Sequence, residues 1–132
     1  MSLLGNVPAD VLVGTVDKLV AKMDESDLAA VYARELRAMP ADAFGIFVEA
    51  LFDAFRDRGE SSEDAAEGAG TTLDGIARRD DGAVGALVEY ARCNAGLLKE
   101  ATTLFVEHRP DLVATLPPEL YGAIAERLSA AT

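Results

Sequence analysis

The sequence predicts an all-α protein: an irregular bundle of about five to seven helices in one domain spanning residues 1–132. Three observations predict it. Apolar residues recur at helical spacing, most clearly in Met39–Phe55. No stretch alternates apolar and polar residues long enough to read as a strand. The hydrophobic half of the composition is rich in alanine, the best helix former, and only five prolines interrupt the chain.

Pro8 opens the first helix, where a missing amide is harmless because the first amides have no intrahelical acceptor. Asp10 sits in its first turn, Val11, Val13, Val16, Leu19 and Val20 supply the apolar face, and it runs to about Met23. Ser26 is the expected N-cap of a second helix, Asp27–Ala38, with Leu28, Val31, Tyr32, Leu36 and Met39 on one face.

Pro40 starts the third helix, which ends near Arg58, before Gly59. Phe44, Phe47, Val48, Leu51, Phe52 and Phe55 line one face. Aromatic side chains carry the largest apolar area, so this helix is expected at the middle of the core, as the helix that the first and last helices pack around and as the wall of any pocket. Ser61-Ser62-Glu63-Asp64 caps a short helix through Glu67, and Gly68-Ala69-Gly70 breaks it. Thr71 and Thr72 cap another short helix to Arg79, and Asp80-Asp81-Gly82 reads as a turn.

The longest expected helix is Ala83–His108. Val84, Leu87, Ala91, Asn94, Leu98, Ala101 and Phe105 step by threes and fours, and Gly96 is its weak point. Pro110 stops it. Asp111–Thr115 is a helical turn or linker, and Pro117 or Pro118 opens the last helix, through about Ala130.

Three of these starts align without gaps: VPADVLVGTVDKL (Val7–Leu19), MPADAFGIFVEAL (Met39–Leu51) and LPPELYGAIAERL (Leu116–Leu128). Each reads apolar, Pro, small residue, acid, two apolar residues. Pro fixes φ, and the acid meets the exposed amides. The first two copies lie 32 residues apart, about one helical-hairpin repeat, and the third 77 further on. True repetition implies stacked helical hairpins; shared helix-start chemistry implies the irregular bundle.

Composition limits function. The formal net charge is −11, which repels phosphate, so neither nucleic acid nor an anionic membrane is an expected partner. No apolar run is long enough to span a bilayer, and the N-terminus lacks a signal-peptide pattern. Cys93 is the lone cysteine, which fits a reducing cytoplasm, and is expected to be a small buried hydrophobe. His108 is expected to act as a helix-end cation. In one straight helix it stands about 22 Å from Cys93, too far for a catalytic dyad. One His and one Cys make no zinc site without carboxylates. Gly68-Ala69-Gly70-Thr71-Thr72 follows no strand and lacks the lysine of a phosphate loop. No catalysis, cofactor or metal is inferred. Tyr90 and Asn94 are neighbours on one face. With Phe44, Phe47, Phe52 and Phe55 they are the candidate pocket or interface residues.

Thr71–Glu100 resembles the helix-turn-helix of TetR-type repressors. Ile76-Ala77-Arg78-Arg79, Gly85-Ala86-Leu87, Tyr90 and Leu97-Leu98 carry the resemblance. The family's turn, typically Ala-Gly-Val-Ser, is Asp80-Asp81-Gly82-Ala83 here, and acids there repel phosphate. The resemblance implies at most a shape relation without DNA binding, the alternative being a chance likeness between helical hairpins.

The leading expectation is a small cytoplasmic all-α protein–protein interaction domain, adapter or regulatory, that self-associates or binds a protein partner. The alternatives are a helical pocket protein for a small apolar ligand and a degenerate TetR-like regulator.

Overall fold

The computed structural model describes residues 8–131. Among them the chain is all-α, as expected, with eight α-helices and two short 3-10 turns. The helix count exceeds the expected five to seven because one long helix is divided. The helices are α1 (Ala9–Lys22), α2 (Glu25–Glu35), α3 (Ala41–Asp57), α4 (Ser62–Gly68), α5 (Leu73–Ala77), α6 (Asp81–Arg92), α7 (Leu97–His108) and α8 (Pro118–Ala131). The 3-10 turns are Leu36–Ala38 and Pro110–Thr115. The expected tail, Met1–Asn6, and Val7 of the first aligned segment lie outside the described residues.

Local chemistry sets most helix starts. Pro8 and Pro40 occupy the positions just before α1 and α3. Ser61 Oγ accepts from the Asp64 amide at 3.1 Å, and Thr72 Oγ1 from the Gly75 amide at 3.0 Å, so each satisfies one orphan donor of its helix. Two starts differ from expectation. Asp24 rather than Ser26 caps α2, because its carboxylate reaches the Ser26 amide at 2.7 Å. Asp80 stands at the cap of α6, which begins at Asp81 instead of following a three-residue turn.

The expected helix Ala83–His108 is two helices, α6 and α7, separated by Cys93–Gly96. Gly96 has φ +77°, a left-handed conformation that glycine adopts without a Cβ clash. The apolar stripe did not reveal the break because the linker is four residues long, about one turn. The spacing of threes and fours therefore continues from Ala91 to Leu98.

The centre of the bundle is α7 rather than α3. The two most extensive helix pairings are α1 with α7 and α3 with α7, and α2, α6 and the Pro110–Thr115 turn also pack on α7. Leu97, Leu98, Ala101, Thr102, Phe105 and Val106 are all buried, an arc wide enough to face several neighbours. Small Ala101 and Thr102 on that arc suit close approach, whereas bulky α3 supplies volume to be packed against. Tyr32, Phe47 and Phe105 bring α2, α3 and α7 together, with ring centroids 4.6 Å apart for the first pair and 5.5 Å for the second. The buried Tyr32 hydroxyl and Thr102 Oγ1 share a 2.6 Å hydrogen bond, and Thr102 Oγ1 also donates to the Leu98 carbonyl at 2.8 Å. Their polar groups thus enter the core satisfied.

A second cluster joins α4, α5 and α6. It is tied to the α2–α3 connection by Arg79, which has φ +59°, strained for a residue with a Cβ. Its guanidinium donates to the carbonyls of Arg37 (3.1 Å) and Met39 (2.8 Å) and lies 4.9 Å over the Phe44 ring. Arg37 Nε donates back to the Arg79 carbonyl at 2.8 Å. The reciprocal contacts hold the strained residue in place.

Candidate functional site

The six sequence-derived candidates fall into separate places. Phe47 belongs to the central aromatic group with Tyr32 and Phe105. Phe44 lies under Arg79. Phe52 is buried with a small exposed edge. Only Phe55, Tyr90 and Asn94 come together. The Phe55 and Tyr90 rings stack at 5.5 Å, and Asn94 Nδ2 donates to the Tyr90 carbonyl at 3.1 Å. Asn94 lies in the turn after α6, half-buried, so it stops that helix instead of lining a helical stripe.

Tyr90 braces three elements. Its hydroxyl donates to both carboxylate oxygens of Glu60 at 2.8 Å. That bond to an anion, with some desolvation, raises the phenol above its ordinary pKa. The ring presses on α4 at Gly68, where an added Cβ would fall 2.6 Å from the phenol. Any larger residue there would have to push the phenol away from Glu60. These contacts occupy the polar tip of Tyr90.

Cys93 is exposed, contrary to the expected burial, because it lies in the α6–α7 turn and not on a packed helix face. His108 ends α7, with Nε2 3.9 Å from Asp53 Oδ2, and the length of α7, about 18 Å, separates its two ends. Cys93 and His108 therefore form no dyad. Among the described residues no group of three or more His, Cys, Asp and Glu side chains is placed to hold a metal ion. No described helix is long and apolar enough to cross a membrane.

The start of α7 carries a polar cluster that the sequence did not flag. Arg58 bridges it, donating to the Ala54 carbonyl (3.1 Å), the Ala95 carbonyl (3.2 Å) and Glu100 Oε1 (2.8 Å). Beside it, both carboxylate oxygens of Glu25 are buried and accept no well-formed hydrogen bond. Burial raises the Glu25 pKa; Lys99, the Gly96 amide and Arg58 pull it back only in part. Glu100 is raised for the same first reason, burial, with Asp57 adding to it. Glu25 precedes the expected cap Ser26 and so falls outside the helix expected from sequence, and nothing local announces that this helix end docks on another.

Open valleys lie on the surface at helix seams. One, between α1 and α7, contains two hollows of about 410 and 590 Å³ that share Asp17, Thr103 and Glu107. Half-buried Val13 and Leu104 belong to its lining and pack against the core. Another, of about 350 Å³, lies between the starts of α3 and α8 and includes Met39, Pro40, Leu116 and Pro118. Two of the three aligned Pro–acid segments thus face each other across one groove. None of these valleys is lined by Phe44, Phe47, Phe52, Phe55, Tyr90 or Asn94.

No protein-family model, curated protein sequence or solved structure matches the chain.

Proposed function

We propose that the chain is a small cytoplasmic all-α protein–protein interaction domain, adapter or regulatory, that binds a protein partner or a second copy of itself. The observation that supports it most is the placement of open, apolar-floored valleys at helix seams, over a core filled by its own aromatic side chains. A surface of this kind suits a partner helix or loop better than an enclosed small molecule. The lone cysteine, with no partner in the chain for a disulfide, fits the reducing compartment. The pocket alternative has less support, since Phe55 and Tyr90 are engaged with one another and with Glu60. The regulator alternative rests on α5 and α6, a helical hairpin whose turn and exposed face carry Asp80 and Glu89. These acids hold Arg78 and Arg92 in ion pairs, which leaves those cations less available to phosphate.

Light scattering across protein concentrations from about 10 µM to 1 mM tests self-association. The expected result is a mean mass that climbs above the 13.9 kDa of one chain. A constant single-chain mass removes the self-association half of the proposal. A metabolite that raises the thermal midpoint would favour the pocket alternative, since a ligand bound only by the folded state stabilises it.

A further inference from the structure

We propose that the α1–α7 valley binds a basic amphipathic helix supplied by another protein; the inference rests on the interaction-domain reading and names its partner class. The valley runs along α1, whose 14 residues give about 21 Å, the length of roughly four helical turns. Val13 and Leu104 offer apolar anchoring points in its lining. Gly14 leaves open space above the backbone, since an added Cβ would meet nothing within 4 Å. A docking helix can therefore approach α1 closely.

The charge of the valley selects the sign of the partner. Asp10, Asp17 and Glu107 are exposed along it, whereas Glu100, at its far end, is already paired with Arg58. Lys99 is the single cation of its lining, with its ammonium 3.5 Å from the Ala21 carbonyl. These carboxylates do not converge on a metal-binding group. Separated acids beside an apolar floor match separated Lys and Arg side chains flanking apolar anchors on one helix. A second copy is the poorer occupant of this valley, because the same acidic face would meet itself there, which leaves self-association to other faces. Nucleic acid and anionic lipid are repelled by the same charge.

The test uses the full chain and a fluorescein-labelled synthetic peptide of about four turns, with leucines on one face and Lys and Arg on the other. A scrambled peptide of equal composition is the comparison, and anisotropy is read at about 50 and 300 mM salt. The amphipathic peptide is expected to bind at least about tenfold more tightly than the scramble, and the double reversal Asp17→Lys with Glu107→Lys to weaken it at least about tenfold. Glu63→Lys with Glu67→Lys makes the same charge change on exposed α4 and is expected to shift affinity by no more than about twofold. Amide chemical-shift changes on wild-type protein should concentrate on α1 and α7, an answer that needs no variant to fold. Absence of binding, equal binding of the scramble, equal damage from the α4 pair, or shifts concentrated elsewhere would each overturn the proposal. If the peptide fails while light scattering shows self-association, the interaction-domain reading stands and the partner class falls.

Discussion

The seams that α1 and α3 make with α7 begin from the same instruction and end differently. Both helices open with Pro-Ala-Asp, at Pro8–Asp10 and Pro40–Asp42, and each lies along α7 over a long contact. Behind that opening α3 carries Phe44, Phe47, Leu51, Phe52 and Phe55, all buried. In α1 the corresponding payload is Leu12, Val16 and Val20, with Gly14 and Ala21 beside the seam. The α3 side closes over the central aromatic group, and the α1 side leaves a valley. The shared opening fixes where a helix starts; the side-chain volume behind it decides whether the seam is core or surface.

Four substitutions can break or sharpen this contrast. The largest effect is expected for Phe47→Ala, about 3–5 kcal/mol lost in urea unfolding, because the ring is fully buried between Tyr32 and Phe105. Val16→Ala, on the α1 side, should lose less; equal losses would mean that volume does not separate the seams. Next, Ala50→Leu, at a fully buried α3 position, should cost about 1–3 kcal/mol by overpacking. Gly14→Ala runs the other way, raising stability by about 0.5–1 kcal/mol, since α1 has room for the methyl and helical glycine is entropically costly. A thermal midpoint lowered by Gly14→Ala would show that the valley is less open than its geometry.

The smallest effect concerns the polar cluster where α2 meets the start of α7. Glu25 has a folded-state pKa above its ordinary 4.5, so its ionised form is less welcome in the fold than in the unfolded chain. Its protonated form therefore adds stability that is complete below the unfolded pKa and is lost as pH rises through the folded pKa. Glu25→Gln should stabilise by about 0.5 kcal/mol at pH 7, and the advantage should shrink toward pH 4. A variant less stable than wild type at pH 7 would show that attraction from Lys99 and Arg58 outweighs burial.

Much of the fold was legible because helix starts are written locally. Pro8, Pro40, Ser61, Thr72 and Pro118 mark boundaries through backbone geometry and short-range capping, which need no knowledge of the rest of the chain. The break at Cys93–Gly96 was half legible: Gly96 stood out, but the stripe ran through it. The central role of α7 was not legible, since phenylalanines mark bulk and not the number of faces a helix must serve. Nor were Tyr32 and Thr102, 70 residues apart, a visible pair. Of the candidate residues, nearness in sequence joined Tyr90 to Asn94 in the turn that ends α6, but the contacts of Tyr90 with Glu60 and Gly68 depend on how α4 returns.

Placing the hub at residues 97–108 has a consequence for how the protein is made. The chain emerges from the ribosome with α1, α2 and α3 complete long before α7 exists, and α1 and α3 make little contact with one another. Until Val106 is released, Val16, Tyr32 and Phe47 lack much of the surface that covers them. The nascent chain must therefore wait for residues 97–108, and these helices acquire their core together once α7 has emerged instead of growing from the N-terminus. A fragment ending before Leu97 should fail to give a cooperative melt, however helical its sequence.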